Sequence, residues 1–235
     1  MAVPYINIHT HRMPETCDEI DAEHSVIAVV NHDFSDEIDD NVPGVLYSVG
    51  IHPWNSLNAA ADPDFIDEGI SAMRAKLSMD SIVFVGEAGF DALRGASADI
   101  QRRLFVEQVR LSEEMHRPLV IHCVKMIDEL MDIQRQMKPR QLWLMHGFRG
   151  KQEQAKQLMQ HGIQLSFGPR FNEGSMQVAW KAQKMWLETD YTDCTIEEVY
   201  AMASECLQVS VEEIKERIYS SFACSTLSRK VVSRQ

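Results

Sequence analysis

The stretch "YINIHTHRMP", residues 5–14, is a short apolar run that ends in two histidines one residue apart. A β-strand alternates its side chains, so His9 and His11 would share one face. Alone, such a pair reads either as the opening of a metal site or as two polar residues leaving a strand. The rest of the chain has to decide between them.

Seven more runs of the same kind follow: "SVIAVV" (25–30), "VLYSVG" (45–50), "SIVFVG" (81–86), "PLVIH" (118–122), "LWLMH" (142–146), "IQLSFG" (163–168) and "KMWLE" (184–188). Strands this apolar are usually buried on both faces, as in a parallel sheet. Helical patterning lies between several of them. Ile100, Leu104, Leu111 and Met115 form one stripe, and Ala155, Leu158 and Met159 form another with Gly162 as its stop. Thr195 with Glu198, and Ser210 with Glu213, fit capping boxes that would open helices over 195–208 and 210–227. Eight strands alternating with helices predict an α/β chain folded as a (β/α)₈ TIM barrel, a single domain over 1–235.

The gaps after the first and second strands are short, and the second, "HDFSDEIDDNVPG", is acidic and poor in apolar residues. At most one short helix fits in each. The barrel is therefore expected to be distorted or thinly covered around strands 1–3, unless the C-terminal helices or a second subunit cover it.

Composition narrows the class. The chain has 235 residues, 45% of them apolar and 25% charged, which suits a soluble globular protein with a full core. No run is long enough to span a membrane, and the N-terminus lacks the basic-then-apolar pattern of a signal peptide. Five cysteines without framework spacing read as reduced thiols, which points to the cytoplasm. A net charge of −12 argues against a broad surface that coats nucleic acid, but not against a small site that holds phosphate through metal ions.

The opening question is answered by position. His9 and His11 end the first strand, and His52 follows the third in "GIHPW". Glu87 follows the fourth, His122 and His146 end the fifth and sixth, and Asp190 follows the eighth. All lie at carboxyl ends of strands, which in a barrel is the rim where active sites are built. Each has a plain reading alone: His52 before Pro53 is equally a turn residue, His122 a satisfied buried histidine, Glu87 a salt-bridge partner and Asp190 a turn cap. Leaving His52 aside, the other four histidines and two carboxylates, gathered from five strands, would be costly to desolvate without a shared task. Imidazole with carboxylate suits zinc, manganese or iron better than calcium, and so many candidates suit two metals, with Glu87 as a bridge. Cys123, next to His122, should face the other way and is given no role. His32, at the end of the second strand, is a weaker rim candidate. His24, His116 and His161 fall at helix ends or turns.

These residues resemble the TatD family of metal-dependent deoxyribonucleases, within the amidohydrolase-like barrels. The matching pieces are "INIHTH", "GIHPW", "VGEAGFD", "RPLVIH", "HGFRGKQEQAKQLMQHGIQLSFG" and "LETD", in order over residues 5–225. The resemblance implies His9, His11, Glu87, His122, His146 and Asp190 as metal ligands, with His52 beside the site. It implies two divalent ions (zinc, manganese, magnesium or iron), and cleavage of phosphodiester bonds in DNA, often from the 3′ end.

The departures are equally specific. Asn7 stands where the family has aspartate. "HCVKM" lacks the arginine and aspartate that follow the strand-five histidine. Gly147 and Arg149 alter the usual Cys-Phe-Ser, and Ser221 replaces an asparagine. After "LETD" the family's long Pro-rich stretch is replaced by "YTDCTIEE". Asp190 would orient the nucleophile or take its proton, with Glu87 as the other catalytic group. Lys125, Arg149 and Arg170, with Arg12 and Arg94, offer cations for a phosphate, although each is as readily an ordinary surface residue. Asp33, Asp36, Asp39 and Asp40 would oppose a long polyanion, which favours short or single-stranded DNA. The rival readings are a hydrolase of a small phosphoester, lactone or cyclic amide, and a barrel that binds metal without catalysis.

Overall fold

In the computed structural model, residues 3–14 and 25–224 are described, except for the side chain of Cys224. Cys17 and His24, and the end of the last helix expected to reach 227, lie outside these residues. All eight runs are strands: β1 (Tyr5–Thr10), β2 (Val26–Asp33), β3 (Val45–Gly50), β4 (Ile82–Asp91), β5 (Leu119–Val124), β6 (Trp143–Met145), β7 (Ile163–Phe167) and β8 (Met185–Leu187). They form one sheet in sequence order, β1 to β8. Pairing is parallel, and a further parallel bridge joins Thr10 of β1 to Asp190 just after β8. That is the (β/α)₈ barrel order. Eight α-helices lie among the described residues.

Two compact units divide the chain. One comprises Met1–Val30, Asn41–Leu46 and Gly147–Gln235; the other comprises Asn31–Asp40 and Tyr47–His146.

In the first unit, the C-terminal helices cover the sheet. α7 (Ile196–Leu207) opens on Thr195 with the expected capping box: the Thr195 hydroxyl accepts from the Glu198 N–H and the Glu198 carboxylate accepts from the Thr195 N–H. α8 (Val211–Cys224) follows the Ser210 hydroxyl, which accepts from the Glu213 N–H. Both helices pack on β1. Tyr200 of α7 is fully buried, and its hydroxyl both accepts from the Ile6 N–H and donates to the Ile6 carbonyl, each at 3.2 Å. The Tyr5 ring meets Tyr200 edge-on at 5.0 Å, with the Lys215 ammonium 4.0 Å above Tyr5. The C-terminal helices, one of the covers expected around strands 1–3, do lie on β1. α5 (Gln152–Gln160) buries Ala155, Leu158 and Met159 as its stripe requires, and Gly162 follows it with φ +83°.

In the second unit, β4 is longer than its apolar run. It continues through Glu87 to Asp91, because Ala88–Asp91 pair with Ile121–Val124 of β5. Glu87 therefore lies within the strand rather than after it. The register slips between Val85 and Ala88, a bulge of the kind that re-aims side chains. The two strands approach closely here: a Cβ at Gly89 (φ +143°) would stand 2.0 Å from the His122 carbonyl oxygen.

Helix α3 (Ala98–Met115) departs from its expected stripe. Leu104 and Leu111 are buried, but Ile100 and Met115 are only half-buried, and Gln101 and Gln108 occupy the buried face. The two glutamines act as backbone clamps. Gln108 accepts from the Ile51 N–H (2.8 Å) and donates to the Ile51 carbonyl (3.0 Å). Gln101 accepts from the Asp91 N–H (2.8 Å) and donates to the carbonyls of Asp91, Arg94 and Ala96. Buried amides of this kind replace ladder bonds that the strand ends lack. No helix forms in 34–44, where the sequence leaves room for one short helix at most; the segment is turned, and the Tyr47 hydroxyl donates to the Asp39 carbonyl.

Candidate metal-ligand clusters

In the first unit, β1 and the turn after β8 are tied together by backbone bonds. The N–H groups of Thr189 and Asp190 both donate to the His9 carbonyl, and the His11 N–H donates to the Asp190 carbonyl. Asp190 adopts φ +52°, which an aspartate tolerates better than most residues. The result is convergence on one carboxylate oxygen: His9 Nε2 lies 3.8 Å and His11 Nε2 lies 3.6 Å from Asp190 Oδ1.

Asn7 has a definite task beside them. Its amide nitrogen donates to the Thr189 hydroxyl (2.9 Å) while its carbonyl accepts from the Thr189 N–H (3.1 Å). Thr189 in turn donates to the Thr10 hydroxyl (3.1 Å). An aspartate could accept but not donate, so asparagine at position 7 suits a threonine at 189. Glu188, fully buried, accepts from the Gly147 N–H (2.8 Å) and from the Ser166 hydroxyl.

In the second unit, His52 follows β3 and caps the turn Pro53–Asn55. Its Nδ1 accepts from the Trp54 N–H (3.2 Å), which leaves Nε2 to carry the proton toward Glu87 Oε2 (3.2 Å). A ring with Nδ1 facing an N–H group cannot move its proton there, so His52 serves better to hold Glu87 than to bind metal. The other Glu87 oxygen lies 3.2 Å from His146 Nε2, and His146 Nε2 lies 3.3 Å from His122 Nδ1. Ligand atoms of Glu87, His122 and His52 all fall within 4.8 Å of one another.

Asp91 completes this group, and the sequence reading gave it no role. Its Oδ2 accepts from Trp54 Nε1 (2.7 Å) and lies 3.3 Å from His122 Nε2, and its Oδ1 accepts from the Leu93 N–H (2.8 Å). Burial pushes this carboxyl up, but the hydrogen bonds from Trp54, Leu93 and His122 together hold it below the usual aspartate range. Ionised Asp91 takes the His122 Nε2–H and leaves Nδ1 as a lone-pair donor, the arrangement in which a carboxylate orients a metal-binding histidine. The available signal was spacing: in "EAGFD", Glu87, Gly89 and Asp91 alternate onto one face.

The donor chemistry fits a divalent transition metal. Burial, and then the neighbouring His146, push the His122 imidazole below its usual range, toward the neutral form that binds metal. Burial pushes the Cys123 thiol up to about 12. Lys125, Arg149 and Arg170 are exposed and take no ion pair among the described residues. Arg12 pairs with Asp193 at 2.6 Å, and the Arg94 guanidinium lies 4.4 Å from the centre of the Trp54 ring. His32 Nδ1 lies 3.4 Å from Asp36 Oδ2. His116 and His161 are the C-terminal caps of α3 and α5.

The strands form a parallel eight-stranded sheet in barrel order, and histidines and carboxylates on them and just after them form groups that could hold a metal ion. The chain belongs to the family of TatD-related DNases, whose model matches residues 26–224. β1, with His9 and His11, precedes that matched span. The relatives include an uncharacterized metal-dependent hydrolase, YabD, of Bacillus subtilis (27% identical over 123 residues, 52% of this chain and 46% of that one). A deoxyribonuclease Tat-D of Schizosaccharomyces pombe is 25% identical over 166 residues, 66% of this chain and 53% of that one. The 3′-5′ ssDNA/RNA exonuclease TatD of Escherichia coli is 28% identical over 124 residues, 49% of this chain and 43% of that one. The chain thus spans about half the length of the curated relatives it matches. Two solved structures share the fold. One is YJJV, a TatD homolog from Escherichia coli (TM-score 0.72, 19% identity, 93% of this chain and 96% of that one). The other is a TatD family hydrolase from Entamoeba histolytica (TM-score 0.73, 15% identity, 97% and 99%). No described helix is long and apolar enough to cross a membrane.

Proposed function

We propose that this chain is a divalent-metal-dependent phosphodiesterase acting on single-stranded or 3′-terminal DNA. The observation that carries the reading is the group formed by Glu87, His146 and His122, with His122 oriented by Asp91 and Glu87 held by His52. Membership of the TatD-related DNase family and the nuclease names of two relatives support the substrate class.

His9, His11, Glu87, His122, His146 and Asp190 are the proposed ligands of two divalent ions, of zinc, manganese, magnesium or iron type. When bound, such ions make a water acidic enough to attack near neutral pH and offset charge on phosphoryl oxygens. The chain's own residues do the rest. Asp190 accepts a proton from the attacking water. His52 fixes the Glu87 carboxylate by donating to Oε2, and Asp91 fixes the lone pair of His122. Lys125, Arg149 and Arg170 are the cations proposed to meet substrate phosphates.

The test is degradation of a 5′-labelled single-stranded oligonucleotide by purified protein with magnesium or manganese, with Glu87→Ala as the blank. Stepwise shortening by the wild type alone is the expected result. No cleavage beyond the blank, with metal bound, contradicts the DNA reading. A second reading, a hydrolase of a small phosphoester, lactone or cyclic amide, is favoured by one observation: only residues 191–195 separate Asp190 from α7. A panel of such small substrates separates the two.

A further inference from the structure

We propose that Tyr191 is a stacking platform for a nucleobase of the substrate, placed one residue from the carboxylate of Asp190. The inference rests on the phosphodiesterase reading and deepens it, since it names the part of the substrate that the chain grips apart from phosphate.

The geometry is specific. The Tyr191 ring lies parallel to the imidazole of His11, with centroids 3.7 Å apart and planes 9° from parallel. Yet Tyr191 is 64% exposed, one of the most exposed large side chains described. One face of the ring therefore rests on His11 while much of the ring remains open to solvent.

The backbone beneath it is held. The Thr192 N–H donates to the Thr189 carbonyl (3.0 Å), and the Thr192 hydroxyl donates to the same oxygen (2.6 Å). Arg12 donates to the Tyr191 carbonyl (3.3 Å) and pairs with Asp193. The capping box of α7 begins at Thr195. A largely exposed aromatic ring, steadied by His11 and by the bonded backbone beneath it, loses little freedom when a planar ring settles on it. Every base has such a face, so this contact is tolerant of sequence and suits single strands, whose bases are not already paired.

The position separates this use from a plain buttress for His11. A residue needed only to brace an imidazole is satisfied by any packed apolar side chain and has no reason to stay exposed. Here the ring sits where the short segment 191–195 leads directly into α7.

The experiment uses two readouts on the full chain: wild type, Tyr191→Phe and Tyr191→Ala. The first is binding of a short single-stranded oligonucleotide carrying 2-aminopurine, followed by quenching of its fluorescence in EDTA, where no turnover occurs. Wild type and Tyr191→Phe are expected to quench. Tyr191→Ala is expected to bind about 5- to 100-fold more weakly, the range for loss of one stacked base. Equal quenching and affinity in Tyr191→Ala, or no quenching by the wild type, overturns the proposal. The second readout is the ratio of kcat/KM on a 3′-terminal nucleotide with its base to that on an abasic one. The proposal expects this ratio to fall toward one in Tyr191→Ala. A ratio kept at the wild-type value, with both rates lowered together, overturns it and leaves Tyr191 as support for His11. Should the wild type cleave neither oligonucleotide, the phosphodiesterase reading fails, while the quenching data still decide on stacking.

Discussion

The two units hold their candidate ligands by different means. In Asn31–Asp40 and Tyr47–His146, buried side chains do the holding: Gln108 clamps Ile51 just before His52, Gln101 clamps Asp91, and Asp91 orients His122. In the other unit, backbone does most of it. The turn after β8 is bonded to β1 through His9 and His11, with Asn7, Thr189 and Thr10 as a hydroxyl–amide relay. Most departures from the family's pattern fall in that second-named unit, with "HCVKM" (122–126) as the exception. "GIHPW" and "VGEAGFD" fall in the unit held by side chains, whereas Asn7, Arg149 and the short segment after Asp190 fall in the other. Residues fixed by several buried partners are hard to change singly. A site framed by backbone bonds leaves more side chains free to vary.

Four substitutions sharpen or break that contrast. Asp190→Asn should have the largest effect, a loss of roughly 10²–10⁴-fold in turnover, because an amide cannot take the proton. Single-turnover assays with bound metal measured alongside would check it, and full activity would remove Asp190 from its role. Asp91→Asn should weaken metal affinity by about 10–100-fold, the usual scale for a carboxylate behind a metal-binding histidine. Metal titration monitored by calorimetry reads this directly; an unchanged affinity would mean that the Asp91–His122 contact is structural only.

Gln108→Leu should act on stability. It strands the N–H and carbonyl of buried Ile51, at about 2–4 kcal/mol for the two groups. Urea denaturation should show the loss as a lower midpoint with the same slope. A change under 0.5 kcal/mol, on the order of an ordinary surface substitution, would mean that the clamp is dispensable.

How much of this was legible beforehand follows from the physics of each residue. The eight strands were readable because buried parallel strands are nearly continuous apolar runs, and the ionisable residues stood out because they end those runs. Asp91 stands within "VGEAGFD", where nothing in the sequence assigns it a task. Its partner His122 is set by the pairing of Gly89 with His122 across β4 and β5, a tertiary fact. Gln101 and Gln108 were hidden for the opposite reason. They are polar residues on a buried helix face, where periodicity points to apolar ones, so the apparent stripe runs through Ile100 and Met115 instead. Nothing in the sequence marks Tyr191, because its stacking on His11 is set by the tertiary structure.

The smallest of the four effects belongs to Asn7→Asp. It removes the amide donor to Thr189 and places a charge beside a hydroxyl oxygen, at a cost of about 1 kcal/mol. Thermal unfolding at matched pH would measure it. A stabilised and more active variant would show that the asparagine is not fitted to Thr189.

The central claim is that these residues hold metal, and equilibrium dialysis of EDTA-treated protein against manganese tests it most directly. The wild type is expected to take up as many as two ions per chain, and Glu87→Ala less than one, with its fold intact by circular dichroism. A wild type that binds none, or a Glu87→Ala variant that binds as much and as tightly as the wild type, would contradict it.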